Sequence, residues 1–480
     1  MLKKQYYLTD KKNNEFGFRV LNFDKYFVYY HQEVEVKSIK TEGREILVVG
    51  IILDPFKPYY TTEQILKSCL QVSTIEELLE QTQKYSGRFI ILAKFNGEVF
   101  LYGDAFGQRQ IYYSLNEGVL VSSSLKIMES LLKVNAISNI KKEILDSKKF
   151  KEREYSWLGA ESIIDGVTKL LPNKYLNLSS RIEKRIVFNY NEMSKRNDFI
   201  EYAAQILSGT IEAITIRYDS FLALTAGWDS RILLAASKNY KSKITYYTFN
   251  LSFESEEDVN ISQEICKKNE LIHRIYEPKE LTEEFLDLYK KSNYLPRIMP
   301  KTKILQQHFY NNNPLAVNIN GNGGEIFRCY YGNKKSYNIS SKILIYLAGY
   351  NLKFPFFVNE IERWIEEAKE VAKNNKIPIL DLFYWEQKMG NWAATASNEL
   401  DIAMEEVSPF NNRELLLTLL TLNRNSRIFP NYFGIRKLIK TLWSELLEFP
   451  FNPQIKGKNV IKAYLKKHTL LRYFFIRLKG

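Results

Sequence analysis

Residues 86–124 alternate short apolar runs with polar turns, which is typical of an antiparallel sheet. The segment reads SGRFIILAKFNGEVFLYGDAFGQRQIYYSLNEGVLVSSS, and its runs are rich in Ile, Val, Phe and Tyr. NGE, GDAFGQ and NEG separate the runs and are typical of hairpin connections. We therefore expect the first part of the chain to be rich in strands, with a helical insert near residues 62–84.

The pattern changes after residue 198. DFIEYAAQILSGTIEAITIRY has helical spacing, SFLALTAG and KITYYTFNL read as short strands, and WDSRILLAASKN and ESEEDVNISQEICKKN read as helices. Strands that alternate with helices indicate a parallel sheet with helical crossovers. We therefore predict two domains, residues 1–195 and residues 196–480, which agrees with a length of 480 residues.

The stretch LTAGWDSR lies where the first strand of this parallel sheet passes into a helix, and such sheets bind ligands beyond the carboxyl ends of their strands. Thr225, Ala226 and Gly227 are small enough for phosphate oxygens to reach the backbone N–H groups at the positive end of the helix. The hydroxyl groups of Thr225 and Ser230 add donors. Asp229 repels phosphate unless a divalent cation lies between them. The residues alone predict either a magnesium-bound polyphosphate site or a helix that Asp229 and Ser230 merely cap.

LTAGWDSR also resembles the SGGxDS pyrophosphate loop of the N-type ATP pyrophosphatases, and its setting is similar to that in the asparagine synthase family. That family adenylates a substrate carboxylate with ATP, and an amine then displaces AMP to give an amide. The resemblance implies a Rossmann-like parallel α/β ATP pyrophosphatase domain with helical additions. It also implies ATP and Mg²⁺ as cofactors. The implied partners are a carboxylate-bearing substrate, either a small molecule, a sugar acid or a peptide, and an amine donor.

Three further segments extend the resemblance. YYTFNLSFESEEDVNISQEIC resembles the adenine-holding strand, NINGNGGEIFRCYY resembles the GxGxDExFxGY loop with one residue fewer, and LLEFPFNPQIKGKN resembles the lysine-bearing tail. By this resemblance, ATP and pyrophosphate would be bound by Leu224, Thr225, Ala226, Gly227, Asp229, Ser230, Thr248, Phe249, Gly323 and Gly324. Asp229 and Glu325 would hold magnesium. Arg231 would stabilise charge on the phosphates, and Lys456 or Lys458 would serve acyl transfer unless both are simply solvated.

YGDAFGQRQIYYS resembles the RDxxGxRPLYY strand of the class II glutaminase domain that precedes the synthetase domain in this family. The resemblance implies an Ntn-hydrolase-like αββα sandwich for the first domain. Leu2 stands where the family has its cysteine nucleophile, so we expect no glutamine hydrolysis. Relatives that lack this cysteine include β-lactam synthetases and lasso-peptide cyclases, and similar proteins are associated with surface-polysaccharide loci.

The sequence therefore predicts an ATP-dependent carbon–nitrogen ligase without glutaminase activity, which forms an amide or a lactam and releases AMP and pyrophosphate. A peptide macrolactam cyclase is one alternative. A PP-loop tRNA-modifying enzyme is a second, favoured by the net charge of +13. No sulfur-transfer thiols and no RNA-binding appendage are recognisable, which argues against nucleic acid as a partner. A catalytically inactive scaffold is a third, because Leu2 and the shortened Glu325 loop depart from the family.

The last 25 residues hold eight Lys or Arg and no acid, interleaved with Tyr464, Tyr473, Phe474 and Phe475. This pattern predicts either a helix that docks its apolar side on the body and leaves its lysines in water, or a contact with a membrane surface or an anionic partner. No apolar run approaches the roughly 20 residues of a membrane helix, and the N-terminus lacks a secretory segment. We therefore expect a cytoplasmic protein, peripheral to the membrane in the second case.

Overall fold

The computed structural model describes residues 2–133, 137–188, 193–251, 256–334, 336–451 and 458–479. Its strands form two antiparallel sheets and one parallel sheet. The strands are β1 (Tyr6–Thr9), β2 (Arg19–Phe23), β3 (Tyr26–Tyr30), β4 (Val36–Thr41), β5 (Arg44–Leu53), β6 (Ser86–Phe95), β7 (Glu98–Gly103), β8 (Tyr112–Ser114), β9 (Leu120–Ser122), β10 (Thr168–Lys169), β11 (Lys174–Asn177), β12 (Ile182–Arg185), β13 (Ser220–Ala223), β14 (Ile244–Phe249), β15 (His273–Tyr276), β16 (Val317–Ile319) and β17 (Glu405–Val407).

Helices surround the sheets and dominate the second half. They are α1 (Thr62–Cys69), α2 (Ile75–Gln81), α3 (Leu125–Leu132), α4 (Asn139–Asp146), α5 (Lys148–Glu152), α6 (Phe199–Arg217), α7 (Trp228–Ala236), α8 (Glu256–Lys268), α9 (Glu283–Ser292), α10 (Thr302–Asn311), α11 (Ser341–Leu347), α12 (Pro355–Asn374), α13 (Ile379–Phe383), α14 (Ala394–Leu400), α15 (Arg413–Leu420), α16 (Arg424–Arg427), α17 (Phe433–Trp443), α18 (Lys458–Lys467) and α19 (Thr469–Lys479). A π-helix, Tyr384–Ala393, joins α13 to α14.

The first half is a sandwich of the two antiparallel sheets, with strand orders β10-β8-β9-β1-β3-β2 and β12-β11-β7-β6-β5-β4. Alternate residues of β5 show why the layers form, because successive side chains of a strand point to opposite faces. Leu47 and Val49 join the apolar cluster between the sheets, whereas Ile46 and Val48 pack with α1 and α2 outside. Ile127 of α3 covers the outer face of the other sheet. The predicted αββα sandwich is confirmed, and α1 and α2 form the predicted helical insert.

The second half is built around a parallel sheet with the strand order β15-β14-β13-β16-β17. Leu222 of β13 and Ile319 of β16 are fully buried, and they belong to one apolar cluster with Ile206 of α6 and Leu233 of α7. Helices precede and follow β13, as the alternating pattern predicts. The predicted parallel α/β fold is confirmed, and β13 lies at the centre of its sheet.

Charged and aromatic side chains join the two halves. Arg88 of β6 is fully buried and forms an ion pair with Asp401, with Nη2 2.9 Å from Oδ2. Arg109, in the loop before β8, forms a second buried ion pair with Glu405 of β17. Both guanidinium groups come from the first half and both carboxylates from the second. Because each buried charge needs its own partner, the two ion pairs fix the relative orientation of the two halves.

None of the described helices is both long and apolar enough to cross a membrane. Cys69, Cys266 and Cys329 are buried and form no disulfide. Burial raises the pKa of the Cys69 and Cys266 thiols to about 12. All three cysteines therefore act as small apolar side chains of the core rather than as reactive thiolates.

Candidate functional site

The loop after β13 is closed by its own hydrogen bonds. The Leu224 N–H donates to the Tyr247 carbonyl (2.8 Å), which holds the end of β13 against β14. The Thr225 N–H donates to the Ser230 hydroxyl (3.2 Å), and the two hydroxyl oxygens are 3.0 Å apart. The Gly227 N–H donates to Thr225 Oγ1 (3.1 Å). The predicted turn from strand to helix is therefore present, and its hydroxyl groups maintain its shape.

Three backbone donors remain free at the start of α7. Within the described part of the chain, the N–H groups of Trp228, Asp229 and Ser230 have no hydrogen-bond partner. The N–H of Ala226, a predicted phosphate donor, instead donates to Asp258 Oδ1 of α8 (3.0 Å). Free N–H groups at a helix N-terminus attract anions. An anion at this loop would therefore meet the first turn of α7, which includes the predicted residues Asp229 and Ser230 but not the Ala226 N–H.

The glycine loop after β16 packs directly on Asp229. A Cβ on Gly324 would lie 2.2 Å from Asp229 Oδ1, and a Cβ on Gly321 would lie 2.8 Å from Asp229 Cβ. Gly323 has a φ of +96°, and a Cβ there would lie 2.1 Å from the Phe106 ring. Only glycine fits at these positions. In the structure these glycines closely approach Asp229 and a ring of the first half, and the contact of Gly323 and Gly324 with a nucleotide stays a prediction.

Asp229 and Glu325 do come together, but the Arg328 guanidinium lies between them. Arg328 Nη2 forms an ion pair with Asp229 Oδ2 and lies 3.6 Å from Glu325 Oε1. Burial raises the pKa of the Asp229 carboxyl, an effect that Arg328 opposes and Glu325 reinforces. Arg328 also donates to the Tyr432 hydroxyl (3.5 Å). The predicted pair of carboxylates is thus assembled around a cation that the protein itself supplies.

Magnesium that arrives with a nucleotide needs only one or two carboxylates besides the phosphates. Asp229 and Glu325 satisfy that number, and the buried Asp229 Oδ1 has no hydrogen-bond partner in the described part of the chain. Within the same residues, no group of three or more His, Cys, Asp or Glu could hold a metal ion by itself. The donor set therefore fits magnesium that is shared with nucleotide phosphates, once Arg328 has moved aside.

The structure corrects the prediction that Arg231 stabilises charge on the phosphates. Its side chain is fully buried, and its guanidinium donates to the carbonyls of Leu446 (2.8 Å) and Pro450 (3.0 Å) and lies 4.5 Å from the Phe451 ring centroid. Burial lowers its pKa to about 10. Residues two apart on an α-helix point about 200° away from each other. Because Asp229 faces the glycine loop, Arg231 points away from it and holds the segment that follows α17.

Thr248 and Phe249 end β14 at the same edge of the sheet. The Thr248 hydroxyl donates to the Leu224 carbonyl (2.9 Å) and lies 2.9 Å from His273 Nε2, so it connects the ends of β13 and β14 with the first residue of β15. Phe249 is partly exposed, with its ring centroid 5.1 Å from that of Tyr247. These contacts shape the edge where a nucleobase would lie. The adenine contact itself stays a prediction.

The two predicted acyl-transfer lysines are not placed at the site. Lys456 lies outside the described residues, and Lys458 is the first residue of α18, where only the backbone is described. Their role therefore stays a prediction.

A cavity of about 210 Å³ opens beside the Arg328 ion cluster. It is lined by Glu325, Arg328, Cys329, Tyr330, Ile428, Phe429 and Tyr432. Trp228, the first residue of α7, packs edge-on to Tyr432, with ring centroids 5.1 Å apart. Aromatic walls with a few charged groups at one end are typical of sites for small organic ligands. The cavity therefore provides room for a substrate next to the first turn of α7.

The position of the expected nucleophile is part of an apolar core. Leu2 is 8% exposed and packs with Tyr7, Phe18, Tyr29 and Ile127. An aliphatic side chain has no group that attacks an amide. Leu2 thus fills an apolar cluster at the position where the family resemblance predicts a cysteine.

Lys169 lines a second cavity, which lies between the two halves. Tyr112 and Trp157 of the first half and Tyr294 and Asn391 of the second also line it. Lys169 is 4% exposed, and no carboxylate of the described residues stabilises its charge. Burial lowers its pKa from 10.5 to about 7. No sequence pattern indicates this buried amine, because β10 places it there only in the assembled fold.

Comparisons with known proteins do not identify the chain. No protein-family model and no curated protein matches it. Among solved structures, it is similar to the allosteric regulatory enzyme of purine biosynthesis, with 9% identity over 68% of this chain and 71% of that chain and a TM-score of 0.21. It is also similar to glutamine phosphoribosylpyrophosphate amidotransferase from B. subtilis, complexed with ADP and GMP, with 9% identity, the same coverage and a TM-score of 0.18. TM-scores this low carry no argument about this protein.

Proposed function

We propose that the chain is an ATP-dependent ligase that adenylates a substrate carboxylate and transfers the acyl group to an amine. One observation carries the proposal: Asp229, in the first turn of α7, and Glu325, in the loop after β16, both contact Arg328 beyond the adjacent strands β13 and β16, and Asp229 shares its turn with the free N–H groups. Loops at the carboxyl edge of a parallel sheet are where such folds bind ligands. The adjoining 210 Å³ cavity would hold the organic substrate.

The first turn of α7 would bind the β and γ phosphates through the N–H groups of Trp228, Asp229 and Ser230, with the helix dipole adding attraction. Magnesium held by Asp229 and Glu325 would neutralise charge on the phosphates. The substrate carboxylate oxygen forms a bond to the α-phosphorus, and the bond from that phosphorus to the bridging oxygen breaks, which releases pyrophosphate. The amine then attacks the acyl carbon, AMP leaves with the bonding electrons, and the amine proton passes to solvent.

Arg328 would act as the cation of the nucleotide-free site. Without a nucleotide, its guanidinium balances the two carboxylates, which would otherwise repel each other at close range. A nucleotide with magnesium brings the cation that replaces it. The displaced guanidinium then remains within reach of the phosphates, where its charge is favourable.

The test is pyrophosphate release by the full chain with ATP, magnesium and a panel of carboxylic acids, with hydroxylamine as the amine. Asp229→Asn and Glu325→Gln keep shape but remove charge, so both should abolish release at limiting magnesium. Glu325→Asp should recover part of the activity only if its loop moves inward. Asp287→Asn is the matched control, because Asp287 is exposed and, among the described residues, forms its ion pair with Lys291. Release by Glu325→Gln equal to wild type at limiting magnesium would contradict the proposal.

A catalytically inactive scaffold is the second candidate, and the position of Arg328 favours it. A guanidinium that permanently occupies the space between Asp229 and Glu325 would exclude magnesium. Calorimetric titration separates the two functions. A ligase binds ATP with magnesium as wild type, before any change at Arg328. If the protein is such a scaffold, the wild type binds no nucleotide, and the Arg328→Gln variant binds magnesium more tightly than the wild type does.

A further inference from the structure

The outer side of α19 is apolar. Leu470, Leu471, Phe474, Phe475 and Leu478 are all exposed, from 42% for Leu471 to 87% for Leu478. Their spacing of one, three and four residues places them on one side of a helix. A helix on a protein surface normally turns polar residues to water. This helix instead presents a continuous apolar strip.

The inner side of α19 is fixed to the body, so the strip cannot simply turn inward. The Thr469 hydroxyl accepts a hydrogen bond from the Lys334 N–H (3.1 Å), and the Tyr473 ring centroid lies 5.6 Å from that of Tyr346. Arg472 lies over the Tyr330 ring, 4.8 Å from its centroid. The inner side of the helix is therefore held by Thr469, Arg472 and Tyr473, while Phe474 and Leu478 on the outer side stay exposed.

The helix before it adds to the same surface. Val460, Ile461 and Tyr464 of α18 are 53%, 65% and 58% exposed. Together the two helices hold eight of the twenty large apolar side chains that are exposed among the described residues. They occupy only residues 460–478, so the exposed apolar side chains are concentrated in these two consecutive helices, which we call the patch, rather than scattered over the surface.

The charge of the two helices indicates what covers the patch. Residues 458–479 contain seven Lys or Arg and no Asp or Glu, and Lys462, Lys467 and Arg477 are exposed beside the apolar side chains. A second copy of the chain would bring two such cationic surfaces together, which is unfavourable. Anionic lipid headgroups over an apolar interior offer both complements at once. At eleven residues, α19 is about 16 Å long and thus suited to lie in a bilayer surface of about 30 Å core thickness, not to span it.

We propose that α18 and α19 bind an anionic membrane surface, with Phe474 and Leu478 inserted below the headgroups and Lys462 and Arg477 at headgroup level. This differs from the simpler sequence prediction, in which the exposed face of the tail holds only solvated lysines. The proposal does not depend on the ligase function, because it uses no residue of the nucleotide site.

The test is flotation of the full chain with vesicles of phosphatidylcholine alone and of phosphatidylcholine mixed with phosphatidylserine. We expect binding to the mixed vesicles only. Phe474→Ser combined with Leu478→Ser should weaken it about tenfold or more. Lys462→Gln and Arg477→Gln should each weaken it about fivefold. The matched control is Phe433→Ser with Val187→Ser, two apolar residues that are 62% and 84% exposed elsewhere, and it should bind like wild type.

Three results would overturn the proposal. The first is a failure of wild type to bind the mixed vesicles at low salt. The second is equal binding by the Phe474→Ser/Leu478→Ser variant, which would mean that charge alone attracts the protein. The third is a wild-type dimer in light scattering that these two substitutions convert to a monomer, which would show that a second copy covers the patch. Thermal unfolding of every variant checks that its fold is intact.

Discussion

Replacing Lys169 with methionine should stabilise the protein at neutral pH and should do so less as the pH rises. Lys169 is buried without a carboxylate partner, so the folded protein favours its neutral form, and its pKa falls from 10.5 to about 7. The unfolded chain therefore binds the proton more tightly than the folded chain. Lys169 therefore lowers the free energy of unfolding most at and below pH 7. This loss of stability shrinks as the pH rises from 7 to 10.5 and is absent above pH 10.5.

The size of the effect follows from the same values. A pKa that falls from 10.5 to about 7 corresponds to about 5 kcal/mol of destabilisation at low pH and to about 3 kcal/mol at pH 8. Unfolding a chain of 480 residues has an entropy of about 1 kcal/mol/K. Lys169→Met should therefore raise the unfolding midpoint at pH 8 by about 3 °C, and the gain should vanish near pH 10.5.

Scanning calorimetry at several pH values from 7 to 10 measures both the gain and its slope. Lys141→Met is the matched control, because Lys141 is buried as Lys169 is, at 1% and 4% exposed, but lies 2.7 Å from the carboxylates of Glu161 and Asp165. That control should lower the midpoint, since it leaves two carboxylates without their cation. If Lys169→Met lowered the midpoint as Lys141→Met does, or raised it equally at every pH, Lys169 would not be the destabilised amine that its burial indicates.

Three further changes address the candidate site. Arg328→Gln should lower the unfolding midpoint without magnesium and should make the midpoint rise more when magnesium is added. An unaltered response to magnesium would show that Arg328 does not compete with magnesium for Asp229 and Glu325. Arg231→Met should lower the free energy of unfolding by about 2–4 kcal/mol, because backbone carbonyls lose their donor. The nucleotide affinity of the folded protein should stay unchanged. A loss of nucleotide affinity without a loss of stability would show that Arg231 contacts the phosphates after all. Glutamine incubated with the protein should yield no glutamate, since Leu2 is not a nucleophile, and glutamate above a buffer blank would show that another residue acts in its place.

The fold was predictable because apolar periodicity is set by burial, and burial decides how sheets and helices pack. The short apolar runs and hairpin signals of residues 86–124 and the strand-to-helix change after Ala223 each led to the layer that the structure contains. The family resemblance assigned Asp229 and Glu325 to one site, and the structure brings both of them to Arg328.

It was harder to predict which way a side chain points from its helix and which distant segment supplies its hydrogen-bond partner. The orientation of Arg231 was open to calculation, since two residues turn a helix by about 200°, but the carbonyls that bind it come from Leu446 and Pro450. Arg328 had a local signal, its spacing of three residues from Glu325. The hydrogen bond from Ala226 to Asp258 had none, because it depends on how α8 packs on the sheet.

The contact of Phe106 with Gly323 makes the second half depend on the first. Deleting the first half would strip the ring from the glycine loop and expose the carboxylates of Asp401 and Glu405. Selection on the second half therefore extends to Phe106, whether or not the first half carries out a reaction of its own.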